Sequence, residues 1–335
     1  MLFKNIQVTL KNRPIGYPKE DDFSIIETEI TELNHGEVIV EVIWLSLDPY
    51  MRGRMSSAKS YASPISIGEV ITGGAVGKIV ESKCPNFKVG DIVEGFTIGW
   101  QTYCRIVSSK LRKINEQLAP IQTAVGVLGM PGMTAYFGFF DICRPIPGDT
   151  VVISAASGAV GQLVGQLARL SGCRVIGIAG SQEKCNFIKE VLSFDQAINY
   201  KTENIYSKVK EYCPKGVNIY FDNVGGKISD DVISNIAPFA RIAICGVISQ
   251  YNLTEAESGM RVQRALLTNQ ASIEGFLVFR FENKYEIARQ RMAEWLKEKK
   301  IIWKEDIIQG IENAPKSFIG LMKGSNFGKL LIKIK

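Results

Sequence analysis

The sequence predicts an α/β fold in which a doubly wound parallel sheet is inserted into a mostly antiparallel β domain. Three observations carry this: short β-rich runs up to residue 122, a later alternation of apolar runs with helical spacing, and strand-like runs again near residue 335.

In the first part, residues 37–45, 70–81, 91–95 and 103–108 are rich in valine and isoleucine and are separated by glycine, proline and aspartate. Such residues suit a pleated, half-buried surface, and the breakers suit turns. Gly73, Gly74 and Gly77 inside one run predict a bend or bulge. Beyond residue 122, the runs 151–155, 174–179, 217–221, 241–247 and 272–278 alternate with helical stretches. That rhythm implies parallel strands covered on both faces. Residues 306–311 and 329–335 again read as strands around a short helix, so the chain returns to its first domain. The expected domains are 1–122 with 300–335, and 123–299. A chain of 335 residues, 46% hydrophobic, can bury two cores.

Composition narrows the function classes. No run reaches the roughly 18 apolar residues of a membrane span, and the start lacks a basic-then-apolar signal pattern. The expectation is a cytoplasmic protein with no membrane partner. Cys84, Cys104, Cys143, Cys173, Cys185, Cys213 and Cys245 include no C-x-x-C pair and read as free thiols in a reducing compartment. The net charge of +6 is modest, and the densest basic stretch, 297–300, falls beside Glu298 in a predicted amphipathic helix. This is a solvated face, not a nucleic-acid patch. Mild basicity also suits an anionic cofactor.

The strongest local signal is Val151-Val152-Ile153-Ser154-Ala155 followed by Ala156-Ser157-Gly158-Ala159-Val160-Gly161, after which Val160, Leu163, Val164, Leu167 and Ala168 fall on one helical face. Strand, tight turn and helix of this kind form the dinucleotide site of a Rossmann fold. Gly158 lets backbone approach a pyrophosphate, Gly161 lets helix pack on strand, and the first helical amides face negative charge. Ala156 replaces the first glycine of G-x-G-x-x-G, and a lone G-x-x-G is often only a turn. Its place at the head of several β-α units is what makes it a nucleotide site.

Cofactor choice turns on the end of the next strand, where an acidic residue would hold the ribose 2′-hydroxyl of NAD. Here the chain reads Ile178-Ala179-Gly180-Ser181-Gln182-Glu183-Lys184, and no acid ends the strand. Ser181 and the following helix start can donate to a 2′-phosphate and Lys184 can supply charge, which favours NADP. The alternative is a plain helix cap at Ser181 with a solvated Lys184.

No metal site is expected. The single histidine, His35, lies in Leu33-Asn34-His35-Gly36, a turn sequence, and neither Cys84 nor Cys104 has a second ligand type nearby. Stabilising negative charge on a substrate oxygen then falls to hydroxyl and backbone donors.

These residues resemble the zinc-independent medium-chain reductases that include prostaglandin reductases (leukotriene hydroxydehydrogenases), plant alkenal double-bond reductases and bacterial curcumin reductases. The resemblance runs over essentially the whole chain. It is carried by Leu47 to Met55 with its Asp-Pro-Tyr-Met-Arg, by Pro131 to Phe137, Ala155 to Gly161, Ala179 to Lys184 and Asn199-Tyr200-Lys201, by Tyr220-Phe221-Asp222-Asn223-Val224-Gly225-Gly226, and by Asn326-Phe327-Gly328-Lys329. It implies a GroES-like first domain and NADPH-dependent reduction of the C=C bond of an α,β-unsaturated aldehyde or ketone, of the 2-alkenal or 15-oxoprostaglandin 13-reductase type. It also implies a homodimer.

By the same resemblance Gly158 to Gly161 would hold the pyrophosphate, Lys184 and Tyr200 the 2′-phosphate, and Asn223 the sugar side, with Gly180 and Ser181 also among the cofactor-binding residues. Cys245, Gly246, Val247, Ile248, Ser249, Tyr251, Phe276, Leu277, Val278, Met130 and Thr134 would surround the nicotinamide half, with Asn326 reaching in. Tyr251 is similar to the tyrosine that hydrogen-bonds the enolate oxygen or its proton relay, and Tyr50 to one lining the substrate pocket. Two rivals remain open: a zinc-free quinone reductase on the same fold, and a non-catalytic NADPH-binding structural or RNA-binding protein.

Overall fold

The computed structural model describes residues 2–335. The chain forms two compact units, one built from the chain up to Gly126 together with Glu305–Lys335, the other from Val127–Lys304; the sequence reading put these joints at 122/123 and 299/300.

The chain opens with β1 (Phe3–Leu10) and β2 (Phe23–Ile30), an antiparallel pair. Neither strand is a dense apolar run, because their apolar side chains alternate with polar ones and much of β2 is exposed, so the sequence pattern does not predict them. Next come β3 (Glu37–Ser46), α1 (Tyr50–Arg54), β4 (Ala75–Ser82), β5 (Ile92–Gly95), β6 (Tyr103–Val107) and β7 (Arg112–Lys113). β3 is the hub: Val38, Ile39, Val40, Val42 and Leu45 are fully buried, and it pairs antiparallel with β4 and β6. The expected bulge sits at Gly77, beside which the β3–β4 register slips. A Cβ there would lie 2.3 Å from the Glu41 carbonyl oxygen. Gly73 and Gly74 lie just before the strand.

The second unit runs α2 (Met130–Phe137), β8 (Thr150–Ile153), α3 (Gly161–Leu170), β9 (Arg174–Ala179), α4 (Gln182–Asn186), β10 (Gln196–Asn199), α5 (Ile205–Tyr212), β11 (Val217–Asp222), α6 (Gly226–Ile233), β12 (Ile236–Ile244), α7 (Gln263–Asn269), β13 (Ser272–Gly275) and α8 (Tyr285–Lys297). Its six strands are all parallel, in the order β10-β9-β8-β11-β12-β13. Counted from β8, this is the 3-2-1-4-5-6 order of a dinucleotide-binding sheet, whose ligand crevice opens at the carboxyl ends where the order reverses, between β8 and β11. β10 is not among the predicted apolar runs, being four residues with glutamine and asparagine at its ends. The helix expected through residue 300 stops at Lys297, and Lys299 has left-handed backbone with φ 55°.

β14 (Glu305–Gln309), α9 (Ala314–Met322) and β15 (Lys329–Lys333) then rejoin the first unit. β15 pairs parallel with β14 and antiparallel with β3, completing the seven-stranded sheet. Among the described residues no helix is long and apolar enough to cross a membrane.

Candidate active site

In the second unit, β8 ends in a sharp turn in which Ala155 takes φ 48°, a left-handed conformation uncommon outside glycine. The amide of Gly158 bonds back to the Ala155 carbonyl at 2.9 Å. α3 starts at Gly161 without a side-chain cap, and the amides of Gln162 and Leu163 bond to the carbonyls of Gly158 and Val160 at 3.1 and 3.0 Å, so the turn itself closes the helix start. A Cβ on Gly161 would lie 2.4 Å from the Ala155 oxygen and 2.8 Å from the Ala156 Cα, which ordinary packing forbids. On Gly158 the nearest atom would be the same oxygen, at 3.1 Å. Gly161 therefore serves close helix–strand packing and Gly158 an open face. Ala159 and Val160 lie between them.

The next two strands end side by side, and the Tyr200 amide bonds to the Ala179 carbonyl at 3.1 Å. The Tyr200 ring lies against Gly180, where a Cβ would meet it at 2.9 Å. The Ser181 hydroxyl accepts from the Lys184 amide at 3.2 Å and caps α4. The capping alternative for Ser181 is thus realised in the structure. It is compatible with a phosphate role because a serine oxygen has acceptor capacity and a proton to donate at once. Gly180, Ser181, Lys184 and Tyr200 are gathered at one corner, with no carboxylate ending β9.

At the ends of β11 and β12, Asn223 donates from its side-chain nitrogen to the Ser154 carbonyl and from its amide to the Ser154 hydroxyl, both at 2.8 Å. The amides of Cys245 and Gly246 bond to the Asp222 carbonyl at 2.8 and 3.2 Å. A Cβ on Gly246 would lie 3.5 Å from the Asn223 oxygen and 3.6 Å from the Tyr251 hydroxyl, so these three groups border one space. Val247 packs against Gly225, and Ser249 bonds through both amide and hydroxyl to the Val224 carbonyl. Ile248 bonds through its amide to the Asn223 carbonyl at 3.4 Å. Burial, with the Asp222 charge second, pushes the Cys245 thiol up to about 12, so it stays protonated and is no nucleophile.

The remaining residues are placed less tightly. Phe276 is buried edge-on to Phe221 and over Gly138, Val278 is buried, and Leu277 is exposed. The Thr134 hydroxyl is bonded to the Met130 carbonyl at 2.7 Å. Tyr50 and Asn326 belong to the first unit. Tyr50 stacks on Phe96 at 5.3 Å, and its hydroxyl is buried without a hydrogen-bond partner. Burial, with the Asp48 charge second, raises that phenol well above its ordinary value, so it can donate a proton but does not ionise near neutrality. The Asn326 amide bonds to the Gly328 carbonyl at 2.9 Å.

Residue-by-residue reading missed Ser154, Tyr220 and Asp222, buried polar groups beneath Asn223. For Tyr220 and Asp222 the signal was present in Tyr-Phe-Asp-Asn-Val-Gly-Gly, which the sequence supplies as a pattern without stating what the aspartate holds; Ser154 carried none beyond its place at a strand end. Among the described residues no three His, Cys, Asp or Glu side chains gather as a metal site. The residues do fit a dinucleotide: two glycines at an uncapped helix start, left-handed Gly225 and Gly226 opposite, and a lysine–tyrosine–serine corner at the next strand end.

Comparison with known proteins agrees. The family model described as the N-terminal domain of oxidoreductase matches residues 6–114, and that described as zinc-binding dehydrogenase matches residues 159–296. An NADP-dependent 2-alkenal reductase of Nicotiana tabacum is 44% identical over 337 residues, covering 98% of this chain and 97% of that protein. The NADPH-dependent curcumin reductase of Escherichia coli is 41% identical over 336 residues, covering 99% and 97%. The crystal structure of CurA from Vibrio vulnificus in complex with NADPH superposes with TM-score 0.94 at 42% identity, over 98% of this chain and 99% of that one. With a six-stranded dinucleotide-binding sheet inserted in a mostly antiparallel domain and whole-chain likeness to these reductases, the chain belongs to the zinc-independent medium-chain dehydrogenase/reductase family.

Proposed function

We propose that the protein uses NADPH to reduce the C=C bond of α,β-unsaturated aldehydes or ketones. The observation that carries this is the space bordered by Asn223, Gly246 and the Tyr251 hydroxyl, in the same unit as the glycine turn and the acid-free corner at Lys184. When bound, NADPH supplies the hydride that adds to the β-carbon. The chain's own residues then have distinct tasks. The turn from Gly158 to Gly161 and the start of α3 neutralise the pyrophosphate. Lys184, Ser181 and Tyr200 engage the 2′-phosphate. Addition of hydride leaves negative charge on the carbonyl oxygen of the substrate, and the Tyr251 phenol donates to that oxygen or to a water that protonates the α-carbon. Tyr50, held protonated by burial, lines the substrate's path in the first unit.

The test is a panel of alkenals, enones and quinones with NADPH. The alkenals and enones are expected to be the better substrates, each giving the saturated carbonyl. Higher efficiency on quinones throughout would replace the reading by a quinone reductase, and binding of NADPH without its oxidation by any electrophile would support a non-catalytic protein. Tyr251→Phe is expected to lower kcat on the best enone by about tenfold to a hundredfold while leaving NADPH affinity near that of the parent. An unchanged kcat would move proton delivery elsewhere.

Lys184→Ala tests the cofactor corner separately. Losing one charged partner of a phosphate should raise the KM for NADPH by about tenfold, some 1.4 kcal/mol, and leave that for NADH nearly unchanged. Equal effects on the two would show that Lys184 does not read the 2′-phosphate.

We also propose a homodimer, supported by the open edge of the six-stranded sheet. β13 is its outermost strand, and Leu267, Ile273, Leu277 and Phe279 near it are 79%, 39%, 44% and 43% exposed. An uncovered edge with apolar flanks pairs readily with a second copy. Sedimentation equilibrium at micromolar concentration should give twice the chain mass, and a monomer there would refute it. A cytoplasmic setting completes the proposal and is supported by the seven unpaired thiols; fractionation outside the cytoplasm would overturn it.

A further inference from the structure

A buried carboxylate sits directly beneath the loop that carries Asn223. Asp222 is 1% exposed. Its Oδ1 accepts from the Ser154 hydroxyl at 3.0 Å, the Tyr220 hydroxyl at 2.9 Å, and the amides of Val224 and Gly225 at 2.9 and 3.0 Å, whereas the equally buried Oδ2 has no partner. Ser154 passes the contact on, its hydroxyl accepting from the Asn223 amide and its carbonyl from the Asn223 side chain. The main chain of Asp222 holds the other side of the same space, through the amides of Cys245 and Gly246. One residue thus fixes the end of β8, the start of the turn into α6 and the end of β12.

Burying a carboxylate is costly unless donors compensate it, and a core that only needed filling would be served as well by an apolar side chain. Here the donors come from three segments that border the candidate nucleotide site. Gly225 and Gly226, at φ 72° and 58°, make the turn conformationally permissive, so an external tie is what sets its position. Four donors converge on one oxygen, so a change at Asp222 is felt at once by Ser154, Tyr220, Val224 and Gly225.

We propose that Asp222 is a positioning residue for cofactor binding: through Ser154 and the amides of Val224 and Gly225 it places Asn223 and the mouth of β11. The proposal rests on the reading of this unit as the NADPH site. It assigns Asp222 no contact with cofactor or substrate. Its effect passes through Asn223, and it falls on NADPH and NADH alike, because the 2′-phosphate corner lies on other strands.

The decisive variant is Asp222→Asn in the full chain, with NADPH and NADH binding followed by nucleotide fluorescence. Both dissociation constants are expected to rise roughly tenfold or more, since a small misplacement of a binding group has effects of that size. Amide hydrogen exchange at Val224 and Gly225 should accelerate in the variant without any nucleotide present. Asn223→Ala should cost less affinity in the Asp222→Asn background than in the parent, because the two act as one unit. A folded Asp222→Asn chain that binds NADPH within twofold of the parent overturns the inference, as do strictly additive effects of the two substitutions. If Asp222→Asn does not fold, Ser154→Ala decides, with weakened binding of both nucleotides expected and unchanged binding overturning the inference. A parent chain that binds no NADPH overturns the reading of the site and this inference with it; a parent that binds normally beside an unaffected variant overturns the inference alone.

Discussion

Lys329→Met is expected to lower the unfolding free energy by about 3–5 kcal/mol, the usual result of removing one partner from a buried ion pair. Lys329 is 3% exposed and donates from Nζ to the carbonyls of Leu47 and Leu330 at 2.9 and 3.0 Å and to Asp48 Oδ1 at 3.0 Å. The other oxygen of Asp48 accepts from the Ser46 hydroxyl. Methionine fills most of the lysine's volume but leaves the Asp48 carboxylate, itself 5% exposed, without a countercharge. The double variant Asp48→Leu with Lys329→Met should recover most of the loss, because both charges leave together. Urea unfolding followed by tryptophan fluorescence measures both. A Lys329→Met midpoint equal to the parent's would show that the pair contributes nothing.

Gly161→Ala is the second large effect. The new methyl must displace the carbonyl of Ala155 or the main chain of the buried Ala156, both backbone, so no side chain can yield to make room. Overpacking of this kind costs about 1–3 kcal/mol, and here the displaced atoms are those that shape the turn. NADPH affinity should fall by more than about tenfold, in excess of the loss of stability, as the turn and the positive end of α3 shift from the pyrophosphate. Gly158→Ala, with a 3.1 Å approach, should disturb the fold less. NADPH titration of Gly161→Ala at the parent's affinity would exclude the turn as the pyrophosphate site.

Much of this is legible in the sequence because the physics is local. The parallel strands of the second unit announce themselves as apolar runs since both faces are covered, and Gly161 is read correctly because strand and helix meet within ten residues of each other in the chain. β10 and the β1–β2 pair are not, because a short polar-ended edge strand and a half-exposed hairpin need a neighbour before they differ from loop. The Asp-Pro-Tyr-Met-Arg segment shows the limit most clearly. As a pattern it identifies the family, yet its physical content lies elsewhere: Asp48 pairs with a lysine 281 positions away, and Arg52, 5% exposed, donates to the carbonyls of Pro14 and Gly16 at 3.0 and 2.9 Å. Two of its charged members are structural ties of the first unit. The same holds for Asp222, whose partner Ser154 is 68 positions upstream.

The late arrival of β15 has a consequence for how the protein is made. Trp44 and Leu45 of β3 pair on one side with β4, and Ser46 bonds to Gly74 just before it, but their other side is closed only by Lys333, Ile332 and Leu331. At a ribosomal rate of about 5–20 residues per second, the 281 positions between Asp48 and Lys329 take on the order of 15–55 s to emerge. The inserted unit can fold within that interval, while the nascent first unit waits with an open apolar strand edge and an uncompensated Asp48. Such an edge is the kind of surface on which aggregation starts and chaperones act.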